Sequence, residues 1–163
     1  MKYLEINQIL RTNEILKTIQ EQYPIILDLE VYSCKNSKNY KVYRNVQKPL
    51  RYLLETLQQA FPDYSFTGET WSSFKKVDFQ KVANELIYSF LTFYKVKEKV
   101  DELVEFLGLI IDKTMYIDEC EIYSYTSRKG PFENNNWFFC FLFYSKVNKR
   151  VLYLSVRNPE DVL

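Results

Sequence analysis

The chain has 163 residues, a length that favours one domain with its own hydrophobic core. Its 22 Lys and Arg balance 21 Asp and Glu, so the net charge is only +1 and no overall field marks a nucleic-acid or membrane binder. Aromatic residues make up 17% of the chain, which is typical of a core-rich globular protein. Because the net charge is close to zero, a charged partner would have to bind a local patch.

The absence of certain residues excludes several kinds of catalytic site. The chain contains no His, which removes Ser-His-Asp and Cys-His nucleophile activation and His-ligated zinc. Its three glycines, Gly68, Gly108 and Gly130, are isolated, so neither a Walker loop nor a G-x-G-x-x-G motif is present. We expect a protein that is not an enzyme and that carries no cofactor and no metal.

The cysteines and the apolar segments indicate the compartment. Cys34, Cys120 and Cys140 form no C-x-x-C pair, so we interpret them as free thiols in a reducing compartment. The first residues carry no secretory signal, and the longest apolar run, Trp137 to Tyr144, is far shorter than the ~20 residues of a membrane helix. We expect an intracellular protein with no membrane contact.

The first half of the chain alternates between helical and extended patterns. Apolar residues at three- and four-residue spacing predict a helix over about residues 5 to 22, which Pro24 ends. From residue 25 to 32 the period is two, which predicts a strand with one better-buried face. The turn-forming residues 36–39 then lead to residues 40–43, predicted as the second strand of a hairpin.

Three helices are predicted in the middle of the chain. One begins at Pro49 and continues to Phe61, and a polar bridge follows from Thr67 to Lys76. Asp78 is predicted to cap the N-terminus of a second helix that reaches Tyr94. A charged helix follows over about residues 98 to 111.

The last third of the chain is predicted to form strands. Residues 120–125 alternate, residues 128–136 form a turn-rich loop, and residues 137–144 are apolar at every position. A strand that is apolar on both sides must be covered on both sides, so this strand should be central with helices over each face. Residues 150–156 form the next strand.

These elements together predict an α+β fold. The whole chain, residues 1–163, is expected to be a single layered domain. Its mainly antiparallel five-stranded sheet should be covered by about four helices.

Three stretches of the sequence resemble the signatures of one family. Residues 30–35 read EVYSCK, residues 120–125 read CEIYSY, and residues 149–157 read KRVLYLSVR. Between the first two, Pro62, Asp63 and Tyr64 precede Phe66, as in the helix-and-exit segment of that family. These stretches occur in the same order as in the Maf-one family of general repressors of RNA polymerase III transcription. The resemblance to that family extends from about residue 1 to residue 157.

The resemblance implies a function without catalysis. Such a protein binds RNA polymerase III at its clamp and neighbouring initiation subunits, and blocks the polymerase from joining promoter-bound TFIIIB. Synthesis of tRNA and 5S rRNA then falls. The resemblance further implies a monomer in the nucleus and cytoplasm that does not bind nucleic acid sequence-specifically.

The sequence departs from the family pattern in two places. Many relatives insert a long, mobile, phosphorylated segment between the first signature and the helix that follows, whereas only residues 36–48 lie there in this sequence. Many relatives also carry an acidic tail after the third signature. In this sequence the third signature is followed by a short stretch that includes Asp161, Val162 and Leu163. We therefore expect repression to need no activating modification. Control would be lost or moved to the hydroxyl-bearing residues Thr67, Thr70, Ser72, Ser73, Thr126 and Ser127.

The residues expected to bind the partner come from the three signatures. They are Tyr32, Ser33, Lys35, Tyr123, Ser124, Tyr125, Lys149, Arg150 and Arg157. Simpler roles stay open: the tyrosines could be amphipathic sheet aromatics, the serines could bond backbone, and the charges could be solvated or protect a strand edge.

A continuous basic face is the other expectation. Lys35, Lys38, Lys41, Arg44 and Lys48 form one basic cluster, and Lys146, Lys149, Arg150 and Arg157 form a second. If both hairpins lie at one end of the sheet, the clusters would make a surface that attracts an acidic partner.

One alternative function remains open, a small-molecule or RNA-binding sensor module. An RNA platform would need aromatic rings exposed on an open sheet face. The apolar strand 137–144 argues that both faces are covered.

Overall fold

The computed structural model describes residues 1–35, 41–94 and 96–159. Six strands and four α-helices lie in these ranges. The strands are β1 (Lys2–Tyr3), β2 (Ile26–Ser33), β3 (Phe74–Val77), β4 (Cys120–Tyr125), β5 (Asn135–Ser145) and β6 (Arg150–Pro159). The helices are α1 (Asn7–Gln22), α2 (Leu50–Ala60), α3 (Phe79–Tyr94) and α4 (Lys97–Met115).

The strands form one antiparallel sheet in the order β1-β2-β6-β5-β4-β3. The predicted α+β fold with an antiparallel sheet and four helices is confirmed, but the sheet has six strands and not five. The two edge strands, β1 and β3, were not predicted. They span two and four residues, too few for a period of two to stand out.

The predicted strand over residues 40–43 is wrong for its described part. Lys41–Tyr43 form a 3-10 turn, and Tyr40 and the predicted turn at 36–39 lie outside the described residues. The buried Tyr43 hydroxyl donates to Gln58 Oε1 at 2.9 Å and accepts from the Phe66 N–H at 3.3 Å. Side-chain packing, and not a strand ladder, therefore positions this segment, and β2 pairs with β1 and β6 instead.

The apolar strand is central, as predicted. β5 and β6 form the middle pair of the sheet. Phe141 and Phe143 project to one core cluster, whereas Cys140 and Leu142 project to the other. Helices contribute to both clusters, which confirms that a strand apolar on both sides is covered on both sides.

One side of the sheet, here called the aliphatic face, packs against α1, α3 and α4. Asp78 caps α3 as predicted, because its Oδ1 accepts the Lys81 N–H at 2.9 Å. The buried side chains of this face include Ile9, Leu16, Leu27, Leu29, Val82, Leu86, Val104, Leu107, Leu152 and Leu154.

The other side, here called the aromatic face, packs against α2 and the segments that flank it. Helix α2 follows Pro49 and ends at Ala60, close to the predicted bounds. The buried side chains of this face include Tyr32, Tyr43, Leu53, Leu57, Phe66, Tyr123, Tyr125, Phe132, Leu142 and Tyr153.

All three cysteines are free thiols. Cys34 and Cys140 are buried, whereas Cys120 is half-buried and donates to the Met115 carbonyl. In the described part of the chain, no helix combines the length and apolar composition needed to cross a bilayer.

Candidate partner interface at one end of the sheet

The first and third signatures meet at one end of the sheet. Ser33, at the end of β2, pairs with Arg150, at the start of β6. The Cys34 N–H donates to the Lys149 carbonyl at 2.8 Å. The antiparallel register therefore brings Lys35 beside the β5–β6 turn, and the two basic clusters meet here in part.

A cavity of about 530 Å³ opens at this junction, here called the lysine cavity. Helix α2 supplies Tyr52, and Lys48 lies just before that helix. The residues that line the cavity are Cys34, Lys35, Lys48, Tyr52, Tyr144, Lys146 and Lys149. Among these described residues, four are lysines and none is acidic, so the lysine cavity carries concentrated positive charge.

A second groove of about 470 Å³ adjoins the lysine cavity and shares Lys35 with it. Lys113 and Arg150 also line this groove. Arg150 is half-buried, and its Nη1 donates to the Thr114 carbonyl at 3.2 Å. We call the six cations of both cavities the basic end: Lys35, Lys48, Lys113, Lys146, Lys149 and Arg150.

The cations of the basic end are not neutralised by direct ion pairs in the described part of the chain. The ion pairs found there join Lys76 to Glu121 and Lys81 to Glu85, and neither pair includes a basic-end residue. Lys48 instead places its ammonium 5.2 Å from the centre of the Tyr52 ring, a cation–π arrangement. On a chain of net charge +1, this end is a local positive surface that can attract an anionic partner.

The thiol at the lysine cavity is not suited to catalysis. Burial raises the pKa of Cys34 to about 12, and the negative charge of Glu55 adds to that rise, while Lys48 opposes it. The thiol therefore stays protonated near neutral pH, whereas a nucleophilic cysteine needs a lowered pKa. The chemistry available at this end is the binding of anions.

The three signature tyrosines lie in the core of the aromatic face. Tyr32, Tyr123 and Tyr125 are 2%, 7% and 1% exposed. The Tyr32 hydroxyl donates to the Glu30 carboxylate, that of Tyr123 to Glu121 Oε2 at 2.7 Å, and that of Tyr125 to Glu69 Oε1 at 3.1 Å. Burial is the largest cause that raises the pKa of each tyrosine, and the nearby carboxylate adds to the rise, while a hydrogen bond with Ser127 opposes it for Tyr125. This geometry supports a packing role for the three rings.

The two signature serines lie in different surroundings. Ser33 is half-buried at the basic end, and its Oγ accepts the Lys35 N–H at 3.1 Å, so it shapes the backbone that carries Lys35. Ser124 is also half-buried, but it pairs with Lys75 and Phe141 in the β3-β4-β5 half of the sheet. Only Ser33 lies at the basic end.

Arg157 does not join the basic end, so the expectation of one continuous face that includes it is wrong. Arg157 is seven residues beyond Arg150 on β6, which places it about 23 Å further along the strand. Its guanidinium lies 5.8 Å from the centre of the Phe61 ring. Because β6 is a continuous strand of 10 residues, Arg150 at its start and Arg157 near its end cannot belong to the same local patch.

The first basic cluster is also divided. Lys35 and Lys48 line the lysine cavity. Lys41 and Arg44 are exposed but are not among the residues that line it, and Lys38 lies outside the described residues.

Tyr52 and Tyr144 of the lysine cavity and Lys113 of the adjoining groove were not predicted from the sequence as part of this surface. Lys48 lies just before α2 and Tyr52 lies in its first turn, so the two residues are close in sequence and this pair could have been found. Lys113 reaches the basic end only because α4 packs against the sheet, and nothing local in the sequence indicates that contact.

The hydroxyl-bearing residues expected to carry control come together at a different cavity of about 570 Å³. Thr67, Thr70, Ser72 and Ser73 line it, together with Thr126, Ser127 and Lys129. The proximity of the two segments follows from the pairing of β3 with β4. Their modification stays a prediction.

Among the described residues, no group of three or more Cys, Asp or Glu side chains is arranged to hold a metal ion.

Comparison with known proteins places these features in a family context. The family model described as the Maf1 regulator matches residues 42–155. Two uncharacterized proteins of Encephalitozoon cuniculi (strain GB-M1) are each 42% identical over 156 residues, which cover 95% of this chain and 96% of theirs.

Two more distant relatives have descriptive names. The repressor of RNA polymerase III transcription from Dictyostelium discoideum is 30% identical over 114 residues, which cover 68% of this chain and 41% of that protein. The repressor of RNA polymerase III transcription maf1 from Schizosaccharomyces pombe is 25% identical over 117 residues, or 69% of this chain and 48% of that protein. The aligned regions span less than half of each named repressor.

Solved structures give the same fold. Two crystal structures of citrus MAF1 match with TM-scores of 0.63 and 0.65, at 27% and 28% sequence identity. Each match covers 82% of this chain and 87% or 88% of the citrus chain.

Proposed function

Because the chain belongs to the Maf1 regulator family, we propose that it represses transcription by RNA polymerase III. This is the Maf-one family that the three signatures resemble. The names of the relatives from Dictyostelium discoideum and Schizosaccharomyces pombe support that function. They also support action in the nucleus, while a cytoplasmic fraction and a monomeric state stay predictions.

Repression proceeds by occupation of the polymerase and not by chemistry. In this proposal the chain binds the clamp and neighbouring initiation subunits of RNA polymerase III. The bound chain excludes promoter-bound TFIIIB, so the polymerase does not reach tRNA and 5S rRNA genes. Direct contact with TFIIIB is a further part of the prediction.

The basic end is the contact surface in this mechanism. The observation that carries the assignment is the convergence of six cations at one end of the sheet, without an ion pair in the described chain. Such a surface attracts an acidic protein face and fixes its orientation. Of the nine residues expected to bind the partner, Ser33, Lys35, Lys149 and Arg150 lie there.

The RNA-platform form of the alternative function has less support. Stacking of bases needs aromatic rings exposed on an open sheet face, whereas Tyr32, Tyr123 and Tyr125 are buried beneath α2 and its flanking segments. The buried rings favour a protein-binding role for the basic end.

The proposal is tested by adding the purified chain to a cell extract that transcribes a tRNA template. Added before the polymerase meets its promoter, the chain should lower transcript yield, and preassembled initiation complexes should resist it. Equal inhibition of RNA polymerase II in the same extract would contradict the proposal.

A charge-reversal pair tests the contact surface. Replacing Lys35 and Lys149 by Glu turns attraction into repulsion, so polymerase binding should weaken at low salt. The matched control replaces Lys97 and Lys99 by Glu, since both are exposed at the start of α4. Equal binding by both double variants would remove the basic end from the interface.

A further inference from the structure

We propose that the lysine cavity binds a short phosphate chain, of the kind carried by inorganic triphosphate or by a nucleoside triphosphate. This is a small-ligand site that goes beyond the proposed repressor function. It rests on the charge, the shape and the backbone geometry of the cavity.

The charge of the cavity matches a dense anion. The residues Lys35, Lys48, Lys146 and Lys149 line one space of about 530 Å³, and no acidic residue is among its described lining residues. Each ammonium offers three donors as a compact point charge that suits phosphate oxygens. A protein that needed only a solvated surface would not have to hold four like charges around one concavity.

The backbone at Lys149 supplies an independent observation. Lys149 has a φ of 52°, in the left-handed region that favours Gly or Asn and strains most other residues. Its carbonyl accepts the Cys34 N–H at 2.8 Å, so the end of β2 holds this conformation in place. A lysine occupies a turn position where glycine would be relaxed, and its side chain lines the cavity.

The wall beside the lysines is aromatic. The rings of Tyr52 and Tyr144 are 5.8 Å apart at an angle of 37°, and both side chains are half-buried. The Lys48 ammonium lies over the Tyr52 ring at 5.2 Å. These rings add an apolar surface that a nucleobase can contact, while the lysines hold the phosphates.

The size of the cavity suits a compact ligand. Its volume falls within the range of small-molecule sites, about 300 to 1,000 Å³. The nearby described acids do not line the cavity: Glu55 is buried in α2 and acts on Cys34, and Glu121 contacts Lys76 and Tyr123. The net field within the cavity is therefore positive.

Calorimetry on the full chain at low salt tests the proposal, with inorganic phosphate, inorganic triphosphate and ATP as probes. Triphosphate should bind at least about tenfold more tightly than phosphate, because several lysines act together. Added salt should weaken binding steeply. Equal affinity for ATP and triphosphate identifies the phosphate chain as the whole ligand. Tighter binding of ATP, lost in Tyr144→Leu, identifies a nucleotide.

The decisive variant is Lys149→Gly, with Lys146→Gln as a second variant and Lys99→Gln as a control. Lys149→Gly relieves the left-handed strain, so the melting temperature should not fall, yet triphosphate affinity should fall about tenfold. A merely structural role for Lys149 would not separate these two effects. Lys99→Gln should bind as the unchanged chain does.

Two results would overturn the site: no triphosphate binding by the unchanged chain at low salt, or equal binding by Lys149→Gly, Lys146→Gln and Lys99→Gln. Neither result bears on repression, which the transcription assay measures without a variant of the cavity. If the unchanged chain represses transcription but does not bind triphosphate, only the ligand site is removed. Binding without repression removes only the proposed function.

Discussion

The two faces of the sheet are buried to a similar degree but are built from different side chains. Among the described residues, the aliphatic face buries Leu, Ile and Val with a few Phe and one Met, and no Tyr. The aromatic face buries five tyrosines, Tyr32, Tyr43, Tyr123, Tyr125 and Tyr153. Each of these five hydroxyls forms a hydrogen bond to a side chain.

Because of this difference, the aliphatic face contributes mainly to stability, whereas the aromatic face also fixes where neighbouring segments lie. Aliphatic burial is non-directional and stabilises in proportion to the area removed from water, so three helices can cover that face without fixing one polar geometry. A buried hydroxyl must find a partner, and the Tyr43 and Tyr125 hydroxyls find theirs on Gln58 of α2 and on Glu69, which ties α2 and the segment after it to this face. That helix supplies Tyr52 to the lysine cavity, so the face with the directional bonds also shapes the candidate interface.

The largest effect is expected from a cavity in the aliphatic face. Phe141 is 1% exposed, and Phe141→Ala should lower the free energy of unfolding by about 3 to 5 kcal/mol. Phe139 lies two residues earlier on the same side of β5 and is only half-buried, so Phe139→Ala should cost clearly less. Urea unfolding of both variants measures the difference, and equal costs would contradict the assigned burial.

A smaller loss is expected when one hydroxyl is removed from the aromatic face. Tyr125→Phe deletes the 3.1 Å bond to Glu69 and leaves the ring in place, which should cost about 1.5 kcal/mol. The control is Tyr88→Phe, because Tyr88 is 73% exposed and should change stability by less than about 0.5 kcal/mol. Thermal unfolding that does not distinguish the two variants would show that the hydroxyl bond contributes nothing.

The pH dependence of stability gives a third test of the aromatic face. On β2, Asp28 and Glu30 lie opposite Ser155 and Tyr153, and burial is the main cause that raises the pKa of each carboxyl. The folded chain therefore binds more protons than the unfolded chain between the ordinary and the raised pKa values. Their contribution to stability is present at low pH and is lost as pH rises through the raised pKa.

Asp28→Asn should remove part of this dependence. At pH 7 the variant should have a higher melting temperature than the unchanged chain. This difference should disappear as pH falls toward the ordinary pKa of Asp. The control Asp63→Asn alters an exposed carboxyl and should follow the unchanged chain. A constant difference between Asp28→Asn and the unchanged chain across pH would contradict the raised pKa.

The smallest effect on stability is expected at the basic end. Lys149 is exposed, so Lys149→Glu should change the free energy of unfolding by about 0.5 kcal/mol or less. Arg150 is half-buried and donates to the Thr114 carbonyl, so Arg150→Glu should cost more. Urea unfolding of the two single variants separates these roles, and equal losses would contradict them.

Most elements of the fold could be predicted because their pattern is local. The apolar spacing of α1, α2 and α3 is repeated over at least three turns, and Asp78 marks where α3 begins. The unbroken apolar run in β5 predicted a central strand covered on both sides. The family signatures were also readable, because they are short and contiguous.

The sequence alone therefore determined the helices, the central strands and the family. Only the tertiary structure decided the edge strands and the membership of the basic end. β1 and β3 exist because longer neighbours offer free backbone groups, and a two- or four-residue segment carries no period of its own. Lys35, Lys113 and Lys149 come together, and Arg157 is excluded, because strand register and helix packing set distances that sequence separation does not encode.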